Sequence, residues 1–353
     1  MEIGLIGLPR VGKTTVFNAL TGASAKTGGH SRSDTPNVSV VKVPDQRIET
    51  LIKMFSPKKT TYANLTFVDV VGIEKNSGES DTALDAVRNV DALALVVRGF
   101  DFEAPPDPMG NIIDINTEII ISDLDKAEKR IERLKKQISK VSKKELSIEL
   151  ELLQRCRDCL NEERFLKELD FSKNEMSMLM GFQFFSIKPI LVILNLSEDN
   201  LEKEIGEIFP SLTTWADERG IPLVPICGTI EEEISRLNDD EAEPFLEEMG
   251  INEPGLNRMI KAAYSLLGLI PFFTVGKDEV RAWTIKQGTD ARTAAGVIHS
   301  DIERGFIKAD VIAYNDLIEC GSLSEGKNAG KSRLEGRSYI VKDGDVINFR
   351  FNV

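Results

Sequence analysis

The sequence predicts an α/β protein: a doubly wound, mostly parallel sheet with a helical insertion and a small C-terminal α+β domain. Three observations carry this. Short, uniformly apolar runs recur at Ile3–Ile6, Leu65–Val70, Ala92–Val97, Ile190–Leu194 and Leu223–Ile226, the pattern of strands buried on both faces. The first run leads straight into Gly7-Leu8-Pro9-Arg10-Val11-Gly12-Lys13-Thr14, a complete GxxxxGK[ST] loop, and then into a helical stripe of Val16, Phe17 and Leu20. Two stretches depart from the alternation: a Lys/Glu/Leu-rich segment from about Ser122 to Glu168, and short alternating strands with Gly punctuation after Pro271.

The first element has a chemical reason for its spacing. Glycines let backbone N–H groups turn around a phosphate, and the helix that follows aims its positive end at the same anion. Pro9, Arg10, Val11, Gly12, Lys13, Thr14 and Thr15 are the expected nucleotide-binding residues, with Lys13 reaching the β- and γ-phosphates and Thr14 offering a hydroxyl to Mg²⁺. Lys13 is the candidate catalytic residue of the loop; Arg10 joins it below, on a departure from a family pattern.

The second strand, Leu65–Val70, runs into Asp69-Val70-Val71-Gly72. In P-loop proteins such an Asp holds Mg²⁺, usually through water, and the Gly backbone senses the γ-phosphate. The next residue is Ile73, which can neither donate nor accept a hydrogen bond. Hydrolysis therefore lacks the usual water-orienting glutamine and is expected to be slow without an activator.

Base recognition belongs after the fourth strand, where Asn195-Leu196-Ser197-Glu198 stands in the place of a guanine-specific NKxD. Glu198 is one methylene longer than the Asp that pairs with guanine, and Leu196 replaces the lysine whose stem covers the base. Adenine becomes the expected guest. An ordinary polar loop with a helix cap is the alternative. Cys227 and Gly228, ending the fifth strand, are further base contacts.

The insertion carries Leu124, Ile131, Leu134, Ile138 and Val141 at helical spacing, then Leu146, Leu150, Leu153, Cys156 and Leu160 as a second stripe, with a bend around Ser139–Lys144. Two antiparallel helices are predicted. Lys126, Lys129, Arg130, Arg133, Lys135, Lys136, Lys140, Lys143 and Lys144 make the first arm and bend basic on a chain of net charge −13. Such an arm suits ribosomal RNA; a solvated helix face is the plainer alternative. Cys156-Arg157-Asp158-Cys159 lacks a second pair for zinc, and the Met176–Met180 cluster reads as core.

Composition bounds the rest. At 353 residues, 41% hydrophobic and 29% charged, the chain should form two or three globular domains. The acidic balance argues against a general nucleic-acid coat protein. Four scattered cysteines fit a reducing cytosol, and no apolar run is long enough to span a bilayer. A cytoplasmic protein with neither membrane nor DNA as partner is expected.

GLPRVGKTTVFNALTG, FVDVVG, NLSED and the closing block from RAWTIKQGT to GKSRLEGRSYIVKDGDVINFRFNV together resemble the YchF / Obg-like ATPase family over essentially the whole chain. The resemblance implies a G domain of the translation-factor class in two parts (1–121 and 185–267), a coiled-coil insertion (122–184) and a C-terminal β-grasp TGS domain (268–353). It further implies an Mg²⁺-dependent nucleotidase that favours ATP over GTP and associates with ribosomes through the basic arm and the TGS domain. A nucleotide-binding ribosome adaptor with negligible hydrolysis and a true GTPase are the rival readings. Thr14 and Asp69 fall on the metal side, with Ser33 or Thr35 as the switch ligand.

Three departures from the family stand out. Arg10 replaces an asparagine that resembles one holding K⁺ in related enzymes, so its guanidinium either stands in for that cation or faces solvent. Arg32 replaces a switch cysteine. Phe100–Asn111 lacks the histidine proposed to act in hydrolysis and offers only Asp101, Glu103 and Asp107.

Overall fold

A computed structural model describes residues 1–21, 37–69, 84, 87–140 and 144–352. Arg32, Ser33, Thr35, Gly72, Ile73, Val141 and Lys143 lie outside the described residues, and so do the roles expected of them. The chain divides into two compact units, Met1–Ser39 with Thr66–Met259 and Val40–Leu65 with Ile260–Val353. The second unit thus takes in an N-terminal segment, 40–65, that the expected boundaries left in the first.

The first unit is built on strands β1 (Glu2–Gly7), β2 (Asn37–Lys42), β4 (Asn64–Asp69), β5 (Ala92–Gly99), β6 (Ile190–Leu196) and β7 (Leu223–Ile226), in the order β2-β4-β1-β5-β6-β7. β4, β1, β5, β6 and β7 pair in parallel. Every residue of β6 is buried, and Ala92–Val97 of β5 are wholly so, which is why their apolar runs show no alternation. After β1 the order reverses direction, so the turn following β1 opens at the crevice where doubly wound sheets hold ligands. That turn enters helix α1 (Lys13–Thr21), whose first ladder bond runs from Val16 N to Gly12 O at 3.0 Å.

The insertion begins earlier than the sequence suggested. One helix runs from Pro108 to Ile138, roughly 46 Å at 1.5 Å per residue. Asp107 caps it, accepting the Gly110 N–H at 2.8 Å, and Pro108 sits in the first turn, where its missing N–H costs nothing. Its inner stripe, Ile112, Ile115, Ile119, Ile131 and Leu134, packs in one core with Leu153, Cys156 and Leu160 of the return helix Lys144–Asn161. A bidentate clasp joins the two, with Arg130 Nε and Nη2 donating to Glu149 at 2.7 and 2.9 Å. Both cysteines of the CxxC are buried here, and burial pushes the Cys156 thiol up to about 12, the environment of packing groups. The methionine cluster meets the expectation in part: Leu179 is buried and Met178 packs against the core, whereas Met180 is 73% exposed. A capped helix of only Lys173–Met180 has one inward stripe, and Leu179 occupies it.

The second unit holds β8 (Leu269–Thr274), β9 (Glu279–Lys286), β10 (Phe306–Ala313), β11 (Arg333–Glu335) and β12 (Asp345–Phe351), ordered β11-β10-β12-β8-β9 with β3 (Lys59–Thr61) on the edge of β9. β12 and β8 are parallel neighbours, and the pairs flanking them are antiparallel. Helix Ala291–Ile298, capped by Asp290, closes one face over Phe272, Ile285, Phe306 and Phe349. Arg337–Val341, part of the stretch expected to form short alternating strands, is instead a turn with one bridge at Ile340, because Tyr339 Oη and Lys342 N both donate to the buried Asp345 and bend the chain. From the N-terminal segment comes helix α2 (Gln46–Phe55), whose Arg47 donates to Asp45 and Asp343 at 2.8 and 3.0 Å.

Candidate nucleotide site

The loop after β1 is shaped by two residues of left-handed backbone, Arg10 at φ 66° and Gly12 at φ 86°. Gly12 is required twice over: its φ disfavours any side chain, and a Cβ there would lie 2.1 Å from Asn195 Nδ2. Backbone that alternates hand in this way forms the nest that cradles anions.

Register brings the next group in. β4 lies beside β1 with Asp69 opposite Leu5, so the carboxylate ending β4 reaches Lys13 at the start of α1. Lys13 Nζ donates to Asp69 Oδ1, and the two side chains are only 7% and 4% exposed. A buried ion pair holds its geometry because either partner alone would be left as an uncompensated charge. Thr14 follows Lys13 on the first turn of α1.

Asn195 is the penultimate residue of β6 and is 5% exposed. Its amide donates to Val11 O at 3.0 Å, and its carbonyl accepts from Gly228 N at 2.9 Å. It therefore braces the phosphate loop against the turn after β7. The sequence assigned Asn195 to the base; the structure commits its side chain to these two backbone groups. The Leu196 side chain is 2% exposed and packs at Gly99. Glu198 is exposed in the turn that follows. Cys227 is buried, its Sγ 3.1 Å from Thr229 Oγ1, and Gly228 opens a helix beside Thr15.

Opposite the phosphate loop stands the segment after β5. Arg98 shapes it by donating to four carbonyls, those of Phe100, Phe102, Ala104 and Pro105, at 2.8–3.2 Å. Of the protic candidates there, Asp107 caps the long helix and Glu103 accepts from Arg10 Nη1 at 3.0 and 2.8 Å. The sequence reading missed Arg98 and the Arg10–Glu103 contact, since no spacing relates residues so far apart.

A glycine-turned loop at the topological switch point, a helix-borne lysine and a strand-end aspartate define the class of P-loop nucleoside triphosphatases. Residues 2–150 match the family described as 50S ribosome-binding GTPase, and residues 269–352 match YchF-GTPase_C, described as a protein of unknown function. The chain is 41% identical to the ribosome-binding ATPase YchF of Bacillus subtilis and 39% identical to that of Escherichia coli O157:H7, over 100% of this chain and 100% and 99% of theirs. A solved structure titled as the Schizosaccharomyces pombe YchF GTPase superposes with a TM-score of 0.86, at 29% identity, covering 99% of this chain and 97% of that one. The chain belongs to the YchF family.

Proposed function

We propose that this chain is an Mg²⁺-dependent ATPase, weaker on GTP, that works as a nucleotide switch on the ribosome in the cytoplasm. The observation that carries the reading is the buried Lys13–Asp69 pair inside a loop already braced by Asn195. Lys13 and the loop amides would stabilise charge on the transferring phosphoryl group. Thr14 and Asp69 fit Mg²⁺, being hard oxygen donors on either side of the cradle, and the ion would neutralise charge on the β- and γ-oxygens. Engaged with such an ion, Asp69 would leave Lys13 available to the phosphates.

The preference for ATP rests on Leu196 and Glu198. With the Leu196 side chain packed inward and Glu198 longer than an Asp, the guanine-reading arrangement is missing both its stem and its carboxylate position. The relatives' names divide on this point, ATPase for the bacterial proteins and GTPase for the fission-yeast structure. Competition of ATP and GTP for one site decides between them. Arg10 places a permanent positive charge on the phosphate loop, so turnover should be equal in KCl and NaCl; strong potassium stimulation would refute that role.

Ribosome docking is assigned to the helical arm and to the C-terminal unit, read as a β-grasp TGS domain from its parallel central strand pair. Arg133, Lys135, Lys136, Lys140 and Lys144 are all exposed on the arm. At its root lies a cleft of about 400 Å³ whose lining includes Arg88, Lys126, Lys129, Arg133 and Phe182 together with Asp125, which pairs with Lys129; the cations outnumber the one carboxylate, a balance suited to RNA. Among the described residues no helix is long and apolar enough to cross a membrane. Charge reversal at Lys135, Lys136 and Lys140 should abolish co-sedimentation with ribosomes; unchanged co-sedimentation would remove the arm from the account. Single-turnover hydrolysis with and without ribosomes separates an ATPase from an adaptor, which shows none in either.

A further inference from the structure

The Arg10 side chain meets two neighbours from one turn and sits on an unusual backbone. Its backbone is left-handed, at φ 66°, a conformation that costs a long side chain energy and persists only where its surroundings hold it. Both Oε atoms of Glu103 accept from Arg10 Nη1, and the guanidinium carbon lies 5.7 Å from the centre of the Phe102 ring. Glu103 is left-handed as well, at φ 56°. Phe102 and Ala104 on either side of it exchange backbone hydrogen bonds, at 3.3 and 2.6 Å, forming a tight turn that presents the carboxylate at its tip. Arg98, rooted in β5, fixes that turn through the carbonyls on both sides of Glu103. The tip is therefore built, and it is aimed at the phosphate loop.

The pair is also open to exchange. Arg10 and Glu103 side chains are 65% and 70% exposed, so water screens their attraction and neither is trapped. Arg10 lies within the GxxxxGK loop itself, where the phosphates of a nucleotide arrive. A phosphate offers a guanidinium more charge and a better fork of oxygens than one carboxylate does.

We propose that Glu103 is a positioning residue of the nucleotide site: its carboxylate holds the Arg10 guanidinium while the loop is empty and is exchanged for the nucleotide's phosphates when a nucleotide binds. Release of Glu103 loosens the tip at 102–104, which Arg98 still holds by its carbonyls, so the segment after β5 reports whether the phosphate loop is occupied. This rests on the nucleotide reading above and extends it to a residue on a different element.

The test is a double-mutant cycle on the full chain, reading Mg–ATP affinity by calorimetry in wild type, Glu103→Gln, Arg10→Ala and the double variant. Removing the competing charge should tighten ATP about threefold in the wild-type background, the scale of one exposed ion pair. It should change nothing once Arg10 is absent. Amide exchange at residues 102–104 supplies an independent readout: ATP should raise it in wild type, and Glu103→Gln should show the raised rate before ATP is added. An equal effect of Glu103→Gln in both backgrounds, a weaker affinity in the single variant, or exchange unmoved by ATP would each overturn the latch. Wild-type protein that binds no ATP would overturn the nucleotide reading itself.

Discussion

Two ion pairs share the phosphate loop and sit in opposite surroundings. Lys13–Asp69 is buried, held between a strand end and a helix start, whereas Arg10–Glu103 is exposed and spans two loops. The same attraction acts in both, so the difference lies in the medium. Burial makes the first pair strong, geometrically fixed and costly to break; exposure makes the second weak, screened and exchangeable. A nucleotide switch needs both kinds. The buried pair keeps the cradle in shape before the ligand arrives, and the exposed pair lets a neighbouring segment respond when it does.

That contrast can be broken most sharply at Lys13. Lys13→Met should cut ATP turnover by at least about a hundredfold and lower stability by about 3–5 kcal/mol, because Asp69 is left charged in a buried site. The double change Lys13→Met with Asp69→Leu should recover most of the stability in denaturant melts and none of the turnover. Equal destabilisation of single and double variants would show that the pair is not what holds the cradle.

Next in size is the brace. Asn195→Ala leaves Val11 O and Gly228 N buried without partners and should cost about 2 kcal/mol, along with ATP affinity. Asn195→Asp keeps the acceptor for Gly228 N but loses the donor to Val11 O. An intermediate loss there would divide the effect between the two bonds.

A smaller effect, of a different form, belongs to Glu231. Its carboxylate accepts from Gly255 N and Leu256 N at 2.6 and 3.2 Å, capping a helix from a buried position. Burial is the leading influence and holds its pKa above the ordinary 4.5. A raised folded-state value means the folded protein binds the proton more tightly than the unfolded chain. Its contribution is therefore full below about 4.5 and is lost as pH rises through the higher folded value. Glu231→Gln should flatten the fall in stability across that window; an unchanged slope would assign the dependence to other carboxyls.

The smallest effect is expected at the exposed pair. Arg10→Ala should change stability by less than about 1 kcal/mol, and added salt should erase the difference. A loss as large as that of Lys13→Met would mean that exposure does not separate the two pairs after all.

How much of this the sequence carried follows from the range of each interaction. β1, α1, β5 and β6 are legible because uniform burial writes itself as an apolar run, and the phosphate loop because its glycines and lysine are contiguous. Gln46–Phe55 and Lys59–Thr61 went unread, although Asp45 with Ile48, Leu51, Ile52 and Phe55 offered a capped amphipathic helix. Their place in the second unit depends on pairing with β9, far along the chain. Asn195 was placed at the site from its motif, yet its duty as a brace depends on where β6 ends relative to the loop. Glu103 was one of three acids with nothing to rank them; only the turn drawn together by Arg98 points it at Arg10.

The central claim is that a preformed cradle, anchored by Lys13, receives ATP in preference to GTP. Parallel calorimetric titrations of Mg–ATP and Mg–GTP into the wild-type chain and Lys13→Met test it most directly. The account predicts tighter binding of ATP than of GTP by wild type and severely weakened binding of both by Lys13→Met. Tighter GTP binding, or unaltered ATP binding without Lys13, would contradict it.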